Sequence, residues 1–402
     1  MADNTLDRID PQELGLELKR ARVKRGLRQA DAAKIINVAR TTITAIEKGE
    51  RRIKPEELIT LARAYGRQVS DFVRERPKVE PFQVQFRGPF LRSEEDEKEI
   101  RRFVDSLEEL ARDYLELEQI THTPLVQNYP PEYQTAEIEV EQAGEEIAIR
   151  ERNRLGLGEG PIPILRDVLE QDVGLRVFYL ELNPSKYSAI YFYNHDLGGC
   201  IAVNRSHPEE RRRWSLAHDY GHFLAHRYKP TVFVENNYQR LPESERFADS
   251  FASFFLMPTG GLTMRFNDLR RSKEKVTVAD LCTLAHYYGV SVAAFTIRSE
   301  DIKFLPSGTW DRLQQGGFKV REAQREPGLP PLPMRDDMLP IRYQYLAVTA
   351  FDKGLISEGR LAYFLRVDRL EARRISESLR EHMRGITDSR IIELDLAEHV
   401  DI

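Results

Sequence analysis

The residues best suited to chemistry lie between Trp214 and Arg227, in the run WSLAHDYGHFLAHR. His218 and His222 are four apart. On a helix that spacing puts both imidazoles on one face, where they can share an ion. The same spacing also arises on ordinary amphipathic helices, so a third ligand is needed to give it weight. The run ERFADSFASFFLMP, beginning at Glu245 just after Pro242, predicts a second helix. A carboxylate from that helix would complete two histidines and leave one position open, the arrangement of a catalytic zinc ion. Glu243 and Glu245 both stand in its first turn, where the helix dipole favours acids in any case, and composition does not choose between them. Asp219 sits beside the first histidine. Asp249 is placed to orient a ligand imidazole through its outer nitrogen. His226 continues the four-residue spacing, but a third ligand from one straight helix reaches poorly, so it is expected to support the site or to pack against it. Tyr191, Tyr193, His195 and Tyr228 offer donors for a developing oxyanion, though packing is the commoner role of such aromatics. Arg211, Arg212 and Arg213 read as a solvated helix face.

These residues need elements to position them, and the pattern supplies them. LRVFYLEL, SAIYFY and CIAV, between Gly174 and Asn204, are rich in aromatic and β-branched residues and are separated by turn residues, which predicts short strands. Helices are expected from Pro208 to His226 and from Pro242 to Met257, with two more across Thr277 to Ile297. Upstream, helical spacing of apolar residues runs from Glu13 to Phe72. A charged helix capped by Ser93 is expected to Glu118, and another over about Thr135 to Arg154. Five prolines between Glu326 and Pro340 make a stiff linker. Helical pattern returns from Tyr343 to about Arg384. Within it, Gly354-Leu355-Ile356-Ser357 reads as one helix ending and another being capped, the shape of a small helix-turn-helix. Tyr343, Tyr345, Tyr363 and Phe364 there offer apolar anchors for a protein contact.

Composition narrows the classes. Of 402 residues, 41% are hydrophobic and 31% charged, an ordinary globular balance. No apolar run reaches the roughly 20 residues that span a bilayer. The opening MADNTLDRID is polar and acidic, unlike a signal peptide. Cys200 and Cys282 are expected to be buried thiols in a reducing cytoplasm. The net charge of −5 hides an asymmetry: residues 12–76 carry 16 Lys+Arg against 9 Asp+Glu, a net +7. A basic small domain on an acidic body points to a polyanion, or to a helical surface that is simply solvated.

In that basic region, LRQADAAKIINVARTTITAIEKGE predicts two short helices crossing closely over small alanines, with Ile43 and Ile46 turned inward. The segment resembles the Xre/Cro-type helix-turn-helix. RQADAAK stands as its first helix, VARTTITAIEKGER as the recognition helix and PEELITLARAYGRQVSDF as the closing helices. It departs where the family has a turn glycine and this chain has Asn37, a residue that tolerates a left-handed backbone. The resemblance implies that Arg40, Thr41 and Thr44 face base edges while Gln29 and Lys48 approach phosphates of double-stranded DNA. Such a module can also serve protein contact alone.

CIAVN, AHDYGH and ERFADSFASFFLMP together resemble the ImmA/IrrE family of zinc peptidases. That resemblance implies a Zn2+ cofactor on His218, His222 and Glu245, with position 219 as the general base. The family has Glu there. Asp219 is one methylene shorter, which sets its carboxylate back by ~1 Å, a misplacement that can cost ~100-fold in rate. Three readings follow: a slow or controlled peptidase rebuilt around Asp, a site that binds zinc without hydrolysis, or a site that has lost its metal.

The expected fold is therefore mainly α with a small β-sheet (α+β). A five-helix DNA-binding domain spans 1–76, a linker and charged helix 77–134, a zincin-like peptidase domain 135–310, a Pro-rich linker 311–340 and a C-terminal helical module 341–402. The expected function is a cytoplasmic regulator of prophage or stress type that binds DNA and cleaves a partner protein such as a repressor. The alternative is a non-catalytic repressor or antitoxin whose peptidase-like domain holds a partner such as a toxin nuclease. No membrane partner is expected, and a homodimer is left open.

Overall fold

The computed structural model describes residues 9–67, 69–73, 77, 79, 82, 94–135, 138–182, 186–234, 242–273, 275–319, 323, 328–332 and 337–388. The chain forms two compact units, residues 1–78 and 79–402. Among the described residues no helix is long and apolar enough to cross a membrane.

The first unit holds five helices: α1 (Pro11–Lys24), α2 (Gln29–Ile35), α3 (Arg40–Glu47), α4 (Pro55–Tyr65) and α5 (Ser70–Val73). Asp10 caps α1 by accepting from the Gln12 N–H, and Pro11 starts the helix where its missing N–H costs nothing. Leu14, Leu18, Ala32, Ala33, Ile43, Ile46, Leu58 and Leu61 share one core. The small Ala32 and Ala33 let α2 lie close against α3. Between those helices Asn37 takes φ 52°, the left-handed turn expected of it.

The second unit is built on a four-stranded mixed sheet in the order β1-β3-β2-β4, from β1 (Arg176–Leu180), β2 (Tyr187–Asn194), β3 (Gly198–Asn204) and β4 (Thr231–Val234). β1 runs parallel to β3, while β2 is antiparallel to β3 and β4. Side chains alternate faces along a strand, and here both faces are covered. Val177, Tyr179, Ala189, Tyr191, Ile201 and Val203 enter one core with α7 (Val140–Arg154), α9 (Glu209–Ala225) and α10 (Glu243–Leu256). Phe178, Leu180, Tyr187, Ile190, Cys200 and Ala202 enter a second core with α6 (Glu94–Thr121) and the C-terminal helices. A short helical turn, α8 (Leu165–Asp167), continues as a π-helical turn over Val168–Val173. The first core is completed by α11 (Thr259–Ser272), α12 (Val278–Tyr288) and α13 (Val292–Asp301), followed by α14 (Thr309–Gln315).

The C-terminal helices are α15 (Ile341–Asp352), α16 (Glu358–Leu365) and α17 (Arg369–Asp388). The helix exit and cap expected at Gly354 to Ser357 are present: Gly354 has φ 69° and the Ser357 hydroxyl accepts from the Arg360 N–H. Tyr343 and Phe364 do act as anchors, but inward. Both are fully buried, and the Tyr343 hydroxyl donates to the Phe364 carbonyl at 3.0 Å.

Other expectations are corrected. Strand β4 and helix α11 carried signals that were passed over: the β-branched TVFV, and the spacing of Leu262, Phe266 and Leu269 behind two glycines. Arg212 and Arg213 are not a solvated face. Arg212 is fully buried and donates to the carbonyls of His207 and Arg205, and Arg213 donates to those of Ile162, Pro163 and Gly289. Charge there is used to satisfy loop carbonyls, which a pattern of residue types does not reveal. The cap expected at Ser93 and the chain from 389 on lie outside the described residues.

Candidate functional site

Helix α9 is buried on nearly every side, from Arg212 to Leu224. Its middle turn carries AHDYGH against α10. Gly221 makes this approach feasible, since a Cβ there would meet Phe251 Cδ1 at 3.1 Å and Ala248 Cα at 3.3 Å. The i, i+4 pair His218 and His222 on α9 thus faces the i, i+4 pair Glu245 and Asp249 on α10. Their polar atoms converge. His218 Nε2 lies 3.1 Å from His222 Nε2 and 3.3 Å from Glu245 Oε2, and His222 Nε2 lies 3.4 Å from Glu245 Oε1. Ligand atoms of the three residues fall within 4.8 Å of one another. Glu243 is exposed on the first turn of α10, so geometry makes the choice that composition left open.

This donor set fits a zinc ion. Ligands about 2.1 Å from a tetrahedral ion sit about 3.4 Å from each other, close to the observed spacings. The chemistry fits too. Two imidazole nitrogens and a carboxylate are donors that a divalent cation can share. Burial works against a charged His218, yet hydrogen bonds to Asp249 and Glu245 carry it up to about 10. Burial likewise disfavours the Glu245 carboxylate, but its hydrogen bonds to His218 and His222 hold it well below the usual range. The cluster is built around one positive charge. His218 Nδ1 meets Asp249 Oδ1 at 2.9 Å, which fixes the ring and leaves Nε2 as the inward donor atom.

Asp219 is fully buried, and neither of its carboxylate oxygens has a hydrogen-bond partner among the described residues. Burial pushes its carboxyl up to about 8, against the pull of His218, with Glu245 adding repulsion. An unpartnered buried carboxylate is expensive and marks a place where something other than folding set the residue. His226 closes α9, its ring centroid 5.8 Å from those of His222 and Phe247. It packs beside the ligands. The Tyr191 hydroxyl donates to the Arg227 carbonyl at 2.7 Å and is structural, whereas Tyr193, His195 and Tyr228 form a ring cluster with Tyr228 exposed.

Sequence reasoning missed what holds α9 from behind. Tyr220, between the two histidines but facing away, donates to Glu151 at 2.5 Å, and Glu151 also takes Arg154 and the Tyr133 hydroxyl. No spacing rule links residue 151 to 220. Only the buried Glu151 within α7, an acid inside an apolar stripe, could have hinted at it.

In the first unit, Arg40 and Thr41 are exposed at the start of α3, Thr44 is half-buried and Lys48 is exposed just past its end. Gln29 is engaged internally: its amide donates to Glu47 at 2.9 Å and its oxygen accepts from the Thr44 hydroxyl at 3.3 Å. Glu47 in turn holds Arg22 in a buried pair at 2.5 Å. This network fixes the angle between α2 and α3, so that the outer face of α3 is presented as a rigid surface.

Residues 18–72 match the helix-turn-helix family model, and residues 170–300 match the model of the IrrE N-terminal-like domain, a peptidase family. The chain joins these two domains. No curated protein matches it. The helix-turn-helix provides a DNA-binding unit and the IrrE-like domain a peptidase-like one, a pairing that supports a regulator carrying a peptidase-like domain. The matched IrrE-like region contains His218, His222 and Glu245, and it spans the whole sheet together with α9 to α12.

Proposed function

We propose that the chain is a DNA-binding regulator whose peptidase-like domain holds zinc at His218, His222 and Glu245 and hydrolyses a peptide bond in a partner protein, such as a repressor. The convergence of three ligand side chains from α9 and α10, with one imidazole locked by Asp249, is the observation that carries this reading. Bound zinc supplies Lewis acidity, polarising a carbonyl and acidifying water. The chain supplies the rest. Asp249 keeps His218 in the binding tautomer. Asp219 accepts the proton of the attacking water, and its short reach makes cleavage slow or conditional. In the first unit Arg40, Thr41 and Thr44 face base edges of double-stranded DNA. Lys48 stands by the phosphates, as does Gln29 through the second hydrogen of its amide. Two copies would read a two-fold site as a homodimer.

Asp219 also favours a second reading. A carboxylate one methylene short, with no partner, suits a domain that keeps its shape but no longer cuts. The chain would then be a repressor or antitoxin that binds its partner, such as a toxin nuclease. Co-expression with the products of neighbouring genes, read by intact mass with and without a chelator, separates the two. A partner cut at one bond, and spared by the chelator, supports the peptidase. A partner that stays whole and bound in both arms supports the binding module.

A further inference from the structure

The two turns that join α15, α16 and α17 reproduce those that join α1, α2 and α3. Helix α1 exits through Gly26 at φ 75°, whose N–H donates to Val23 O at 2.9 Å, while the Leu27 N–H donates to Arg22 O at 3.1 Å. Helix α15 exits through Gly354 at φ 69°, whose N–H donates to Phe351 O at 2.9 Å, while the Leu355 N–H donates to Ala350 O at 2.9 Å. The second turn matches as well. Asn37, with φ 52°, is followed by Val38, whose N–H returns to Ala33 O at 2.9 Å. Arg366, with φ 61°, is followed by Val367, whose N–H returns to Ala362 O at 3.1 Å. Two residues on, α3 begins with Arg40 and α17 with Arg369. The inward residues correspond: Ala32, Ala33 and Ile43 in the first motif, Leu361, Ala362 and Ala372 in the second, all buried. Even the cross-helix contact recurs. Thr44 bonds to Gln29 at 3.3 Å, and Arg373 bonds to Glu358 at 3.0 Å.

A left-handed residue followed by a return hydrogen bond fixes the crossing of two helices. With its inner face anchored, the second helix is left with an outer face that fits a major groove. On α17 that face carries Arg369, Leu370, Arg373 and Arg374, all exposed. Arginine forks match guanine, and an apolar side chain matches the thymine methyl. Arg373 and Arg374 now rest in exposed pairs with Glu358 and Glu371. Such pairs are weak and can be exchanged for a phosphate. Three other arginines point the other way: Arg342, Arg360 and Arg366 bind Glu118, Glu116 and Asp113 of α6, which bolts the motif to the rest of the second unit. Residues 341–388 carry nine basic and seven acidic residues, a net of only +2. Phosphate attraction is therefore smaller than at the first unit, and binding depends more on the outer face itself.

We propose that α15–α17 form a second DNA-reading helix-turn-helix, with Arg369, Leu370 and Arg373 on base edges and Arg374 on a phosphate, so that one chain takes two segments of duplex. The inference is independent of whether the metal centre cuts. The test uses the full chain and a random-sequence duplex pool, with binding measured across a salt series. The variant Arg40→Ala/Thr44→Ala/Lys48→Ala, which removes base and phosphate contacts of the first unit together, retains duplex binding with a shallower salt dependence than the wild type. Adding Arg369→Ala and Arg373→Ala weakens that remaining affinity about 5- to 150-fold. Leu370→Asp, tested on the same background, gives a comparable loss. All three positions are exposed, so the unfolding midpoint stays unchanged. Residual binding that ignores Arg369, Arg373 and Leu370 overturns the proposal, as does a first-unit variant that binds no duplex. Capture of a protein that is lost in these variants while DNA binding persists also overturns it, and assigns the face to protein contact.

Discussion

A helix on one face of the second unit's sheet and a helix on the other treat buried acids differently. Toward α6, every buried acid of that helix holds an arginine: Glu108 with Arg112, Asp113 with Arg366, Glu116 with Arg360, and Glu118 with both Arg176 and Arg342. Toward α9, Asp219 has no partner among the described residues, and the nitrogens of His218 and His222 face one another across 3.1 Å. Folding alone explains the first face, where each charge is neutralised by a neighbour in the same chain. It does not explain the second, where two imidazoles and a carboxylate converge on one point beside a buried carboxyl that has no partner among the described residues. The difference separates scaffold from site without any appeal to resemblance: buried polar groups that satisfy one another are architecture, and those that do not await a ligand.

That contrast can be broken by experiment. The largest effect is expected at the metal. Purified without added zinc, the wild-type chain should carry the ion and His222→Ala should carry almost none, by elemental analysis. Equal, near-zero content in both would erase the distinction. Next comes the scaffold face. Glu118→Ala leaves Arg176 and Arg342 without their acid and should destabilise the second unit by about 3–5 kcal/mol in denaturant. Asp249→Ala should lower zinc affinity about 10- to 100-fold, because it loosens a ligand ring rather than removing one. A chelator competition reads this, and DNA binding by the same variant should be unchanged. The smallest effect is expected from Asp219→Asn. Burial raises the Asp219 carboxyl to about 8, so in the metal-free chain at neutral pH it is mostly neutral already, and the amide should leave stability unchanged to within about 1 kcal/mol. A loss comparable to Glu118→Ala would mean that Asp219 belongs to the scaffold after all.

Much of this contrast was legible in the residues. The i, i+4 histidines, the Glu245 helix and the alternating strands were read from spacing, because helix and strand periods decide which side chains meet. The left-handed turn at Asn37 came from the resemblance, since Asn stands there in place of a turn glycine. What spacing cannot give is a contact between elements that only the fold brings together. Glu243 and Glu245 were equivalent until α10 was laid on α9. Arg212 and Arg213 read as surface because a charge run usually is one, and only the carbonyls that the fold gathers around them, some nearby and some 50 or more residues away, reverse that. Helix α6 was read only as charged, because the arginines that hold Glu116 and Glu118 from the C-terminal helices lie more than 200 residues away. Tyr343 and Phe364 showed the opposite failure: their apolar character was plain, but whether it faced a partner or the chain's own core was not.

The central claim is that the cluster of His218, His222 and Glu245 is a working peptidase centre with a shortened base at Asp219. The direct measurement is partner cleavage, by intact mass, for wild type, Asp219→Ala and Asp219→Glu, each with its zinc content determined. The account predicts slow cleavage by wild type and none by Asp219→Ala with zinc retained. Asp219→Glu should cut about 10-fold faster or more, since restored reach recovers part of the ~100-fold cost of misplacement. If all three hold zinc and bind the partner equally while none cuts it, the centre is a binding module and the claim is wrong.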